Sequence, residues 1–145
     1  MYESLTRYLS ALETEDRFGE IIVDRVHKGT ADDPVQMPFI DYGKTVTIIE
    51  QAIYDFGGNH PEFELTRYSE ILESNGLKWE MRSMIEADVE KLDGKAVMAL
   101  LMGVVRAERF CDGALLDFCE SGALTRWLLR LMQIDESFSK RTEQE

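Results

Sequence analysis

The run Ala96 to Val105, AVMALLMGVV, constrains this chain more than any other stretch. A helix that is apolar all round belongs in the middle of a soluble fold, wrapped by its neighbours. At about half of the roughly 20 residues needed to cross a bilayer, it predicts a core helix and no membrane span. Asp93-Gly94 opens it, with Asp93 as N-cap. Cys111-Asp112-Gly113 breaks it. At its end the greasy run turns abruptly into Arg106, Glu108, Arg109 and Asp112.

The other segments supply helices to wrap such a rod. Leu5, Tyr8, Leu9 and Leu12 share one face of an amphipathic helix. Val46, Ile49, Ile53 and Phe56 do the same over Thr45 to Phe56, with Gly57, Gly58, Asn59 and Pro61 as stop signals. A third helix begins near Thr66 as N-cap, carries Tyr68, Ile71 and Leu72, and closes at Asn75-Gly76. Ser83 with Glu86 reads as a capping box ahead of Ile85, Val89 and Leu92. LLDFCESG is a short helical piece, and from Ser121 a last helix presents Leu124, Trp127, Leu128 and Leu131. Between residues 20 and 42 the pattern leaves two readings open. FGEIIVDRV fits a short helix or a strand, with β-branched Ile21, Ile22 and Val23 leaning towards strand. VQMPFIDYG reads as extended, Pro38 argues against a central strand, and a short extended pair here is the main departure an all-α fold would have to admit. The expectation is therefore an all-α fold: one compact helical bundle over residues 1–134 around a central apolar helix, followed by a polar, fraying tail at 135–145.

Charge narrows the function. With 28 acidic against 16 basic residues the net charge is −12. Binding nucleic acid by neutralising phosphates needs a basic surface, so no direct nucleic-acid binding is expected. An anionic membrane surface is disfavoured for the same reason. The acidity fits a solvated surface or a basic protein partner. The opening MYESLTRYLSALETED has acids where a secretion signal carries a basic region, so a cytoplasmic location with reduced thiols is expected.

On a wheel at about 100° per residue, Glu108 and Asp112 fall on the side of Val97, Leu101, Val104 and Val105. Arg106 and Arg109 fall on the other, with Met98 and Met102. A carboxylate on an apolar face must find a cation, share a proton or reach water. Three outcomes follow: an internal brace with an arginine such as Arg67, Arg126 or Arg130, emergence at the surface, or a ligand pocket. In a pocket, Arg106 and Arg109 would hold an anionic or planar polar ligand with paired guanidinium donors, and Glu108 and Asp112 would bind a cationic group or act as base.

Nothing else amounts to a motif. His27 and His60 read as loop residues, and no HxxxH or CxxC spacing marks a zinc site, so no metal or other cofactor is expected. Cys111 and Cys119 read as small buried hydrophobes. The glycines form neither GxGxxG nor a P-loop. Trp79 and Trp127 read as core or subunit contacts.

MPFIDY at 37–42, ELTRYSEILESNG at 64–76 and MALLMGVVRAERFCDGALL at 98–116 resemble blocks of a bacterial family of small acidic proteins, known only as a domain of unknown function. The likeness spans most of the chain. It implies a single, predominantly helical domain and brings no activity, cofactor or catalytic residue. The functional expectation is a non-enzymatic cytoplasmic binding or interaction protein that self-associates, as a homodimer for example. The alternatives are a small-molecule or enzymatic pocket at Arg106, Glu108, Arg109 and Asp112, and an acidic decoy for a nucleic-acid-binding protein.

Overall fold

The computed structural model describes residues 1–144, with side chains through residue 141. The N-terminal amphipathic stretch folds as two short helices, α1 (Glu3–Thr6) and α2 (Leu9–Glu13), in place of one. Leu5, Leu9 and Leu12 are buried as the spacing requires, and both helices pack on the last helix of the chain. The extended pair is present. Strand β1 (Gly19–Ile22) runs antiparallel to β2 (Phe39–Tyr42), with Gly19 opposite Tyr42 and Ile22 opposite Phe39. Asp24 organises the long connection between them. Its carboxylate accepts from the backbone N–H groups of Gln36 (2.6 Å), Val26 (3.0 Å) and His27 (3.1 Å), and His27 Nδ1 lies 2.7 Å away. These donors, Gln36 first, hold the Asp24 carboxyl well below the usual carboxylate range.

Helix α3 (Lys44–Asn59) buries Val46, Ile49, Ile53 and Phe56. It runs straight through Gly57 and Gly58 and stops only at His60, where the following Pro61 disfavours helical geometry. Phe56 stacks on His60 at 4.2 Å and on Tyr2 at 5.6 Å, so His60 is part of an aromatic cluster and not a free loop residue. After two 3-10 turns, α4 (Tyr68–Ser74) lies along the central helix, and α5 (Met81–Ile85) follows. Ser83 sits inside α5 and caps nothing. Its hydroxyl accepts from the Lys78 N–H at 2.9 Å, closing the turn that enters the helix. Val89 lies in a separate 3-10 turn, with Leu92 just beyond it.

Helix α6 (Gly94–Glu108) is the axis, buried from Ala96 through Val105. The Asp93 side chain accepts from the Ala96 N–H at 2.9 Å, as an N-cap should. Helices α7 (Ala114–Glu120) and α8 (Ala123–Gln144) pack against it, and Leu124, Trp127, Leu128 and Leu131 are fully buried. Arg126 and Arg130 donate to the carbonyls of Ile85 (2.7 Å) and Leu92 (3.1 Å). The molecule is a predominantly helical domain with one small two-stranded sheet. Among the described residues no helix is long and apolar enough to cross a membrane.

Helix α8 continues across the position where a fraying tail was expected, while Glu145 lies outside the described residues. Asp135, placed in that tail by its composition, accepts from the Tyr2 N–H (2.8 Å) and the N-terminal ammonium (3.1 Å), joining the two ends of the chain. Tyr2 is buried, and burial, reinforced by Asp135 and Asp93, pushes its hydroxyl up to about 12. The fold thus favours the neutral phenol. That stability is whole below the ordinary value of 10 and is lost as pH rises from there towards 12. A melting-temperature series should decline from about pH 9, where the raised Cys119 thiol begins to cost stability, and Tyr2 should add to the decline above about pH 10. Tyr2→Phe should remove part of the fall.

Candidate functional site

The turn between α6 and α7 gathers the charged end of the central rod. Gly113 has φ +97°, a left-handed conformation that costs glycine nothing. This reverses the chain so that Glu108 looks back at the start of α7. Helix α7 has no N-cap side chain of its own. Glu108 takes that role from the preceding helix: Oε1 accepts from the Gly113 N–H (3.1 Å) and Oε2 from the Leu115 N–H (2.9 Å). Tyr42, at the end of β2, donates its hydroxyl to Glu108 Oε1 at 2.7 Å and accepts from the Leu116 N–H at 3.1 Å. A carboxylate at a helix N-terminus also meets the positive end of the dipole. Burial and the Glu108 carboxylate push the Tyr42 hydroxyl far above its ordinary range.

Glu108 is therefore satisfied by neutral donors, not by an arginine. Arg67 pairs with Glu70, and Arg126 and Arg130 serve backbone carbonyls. Asp112 is exposed on the turn. The two remaining residues of the cluster do meet around one ring. The guanidinium carbons of Arg106 and Arg109 lie 5.8 and 5.2 Å from the Tyr54 centroid. Tyr54 is oriented by its hydroxyl, which donates to the Val105 carbonyl at 3.4 Å. Arg109 is exposed. Burial and nearby Glu108 raise the Glu50 carboxyl, and Arg109 partly offsets this. The arrangement thus separates a structural carboxylate from a pair of arginines on an aromatic face.

Another face of α6 carries a feature that sequence reasoning missed. Trp79 donates its indole N–H to the Gly103 carbonyl at 2.9 Å and meets Phe110 edge-on at 6.3 Å. With Met81, Met84, Ala114 and Phe118 they line an apolar groove of about 300 Å³. Phe110 is 80% exposed and Trp79 39%. The available signal was the Met81/Met84 pair at i, i+3 and a phenylalanine just past a helix end. Cys111, expected inside, is exposed on the groove wall because it falls in the turn after α6. Cys119 is buried in α7, and burial pushes its thiol up to about 12. Among the described residues no three metal-type side chains converge.

Fold and site together define a helical domain that carries a braced α6–α7 turn, an arginine pair and an open apolar groove. Residues 2–137 match the model of the family described as "Family of unknown function (DUF6508)", and the chain belongs to that family. No curated protein and no solved structure matches it.

Proposed function

We propose that this protein is a non-enzymatic binding module whose groove beside Trp79 and Phe110 takes the apolar side chains of a basic, amphipathic protein segment. The observation that carries this reading is the groove itself. Exposed Phe110, Trp79 and Met81 rim a cleft floored by buried Met84 and Phe118, and such patches mark interaction surfaces. The acidic residues around it indicate the partner's charge. Glu80 lines the groove, and Glu73 and Lys78 line the adjoining cleft beyond Trp79. Asp112 and Asp117 flank Cys111 and Phe118 in sequence as Arg82 and Arg109 flank Met81 and Phe110, and the chain's net charge of −12 sets the overall sign. A second copy would bring another net charge of −12 to the same place, which like-charge repulsion opposes. An acidic decoy is a narrower form of the same reading, in which the basic partner is itself a nucleic-acid-binding surface.

Fluorescence anisotropy with a labelled Lys/Leu amphipathic peptide, and with a Glu/Leu peptide of the same pattern, tests it. The basic peptide should bind, more weakly at high salt, and the acidic one should not. Phe110→Ser removes an exposed ring and should weaken binding by about tenfold or more. Equal binding of both peptides, or none, overturns the reading. Concentration-dependent dimerisation in light scattering that Phe110→Ser abolishes, without peptide uptake, would put a second copy in the groove instead.

A further inference from the structure

Arg106 belongs to a different cavity from the groove. The last turn of α3 and the segment after it contribute Tyr54, Gly57, Gly58 and Leu65, and α6 contributes Met102 and Arg106, around about 420 Å³ of space. That is within the range of small-molecule sites, roughly 300–1,000 Å³. Arg106 has no carboxylate within ion-pair distance among the described residues, and its Nε is buried without any hydrogen-bond partner. An orphaned buried donor is uncommon in a native fold, and a small turn of the side chain would bring it to an acceptor held in the cavity. Glu64, the carboxylate on the cavity rim, lies 3.7 Å from Arg67 and does not neutralise Arg106.

The rest of the cavity describes what would bring that acceptor. Tyr54, whose ring already carries the Arg106 and Arg109 guanidinium groups, contributes an aromatic wall, and Met102 and Leu65 add apolar surface. The glycine pair keeps the α3 side low. A Cβ on Gly57 would press to 3.1 Å from Met102 Cε, and one on Gly58 would meet nothing within 4 Å, projecting into open space. Guanidinium pairs with carboxylate through its planar fork and stacks readily against flat rings.

We propose that this cavity binds a small planar carboxylate, with the carboxylate on Arg106 and the flat body against Tyr54, Met102 and Leu65. The site is independent of the groove and does not rest on the peptide-binding reading.

Benzoate is the probe, read by amide NMR shifts, with benzamidine as the same ring carrying the opposite charge. Benzoate should produce saturable shifts at Gly57 and Gly58, and benzamidine should not. Arg106→Met should weaken benzoate at least about tenfold, and Arg106→Lys less, since it keeps charge without the fork. Gly58→Leu fills the open side with a helix-favouring residue and should abolish the shifts while the fold persists. Phe110→Ser should leave them unchanged. Absence of saturable shifts, equal response to benzamidine, unaltered binding in Arg106→Met or Gly58→Leu, or loss in Phe110→Ser would each overturn the assignment.

Discussion

Glu108→Ala is expected to cost about 3 kcal/mol of stability in urea unfolding. The substitution removes no large side chain, so the expectation rests on what is left behind. The N–H groups of Gly113 and Leu115 and the Tyr42 hydroxyl would each lose an acceptor in a half-buried setting. Tyr42→Phe keeps the ring but leaves the Leu116 N–H without an acceptor and removes one donor from Glu108; about 1–2 kcal/mol is expected. The two losses share a hydrogen bond, so the double variant should fall short of their sum. A Glu108→Ala protein within about 0.5 kcal/mol of wild type would mean that the carboxylate braces nothing.

Gly94→Ala is expected to destabilise by about 2–3 kcal/mol, against the ordinary helix preference for alanine. A Cβ there would fall inside the van der Waals envelope of the Tyr2 hydroxyl and reach 2.6 Å from Tyr2 Cζ. The ring cannot simply retreat, because Phe56 stacks on it at 5.6 Å and Phe63 meets it edge-on at 6.3 Å. It must leave the pocket, and the N-terminal segment would follow. Tyr2→Leu in the same chain should recover part of the loss in thermal melts. Unchanged or raised stability in Gly94→Ala alone would show that the N-terminus yields without cost.

What the sequence made legible follows from periodicity. Leu124, Trp127, Leu128 and Leu131 on one helix, and the apolar rod from Ala96 to Val105, lie where spacing and burial demand, because packing and local pattern agree there. The brace was legible only in part. Glu108 on an apolar face announced that a partner was needed, but the partners came from Tyr42 and from backbone N–H groups of a later helix. A hydroxyl contributed from a strand 66 positions away leaves no local signature. Ser83 shows the opposite failure, in which a sound local motif was overruled by a turn that needed the same hydroxyl. Helical spacing sets Arg106 and Arg109 apart from Glu108, and the two guanidinium groups do meet at one ring. That they share a tyrosine face depends on how α3 packs against α6, a tertiary contact that leaves no local signature.

The Tyr42–Glu108–Leu116 linkage also sets an order of events. Its partners stand 66 and 74 positions from the strand that supplies the hydroxyl. The ribbon of β1 and β2 is too small to persist alone in water. This mooring is absent until the reversal at Gly113 has formed, and loop-closure entropy delays such distant pairings. The ribbon is therefore expected to dock late and detach early, and hydrogen exchange should show the Leu115 and Leu116 amides of α7 opening before those of α6.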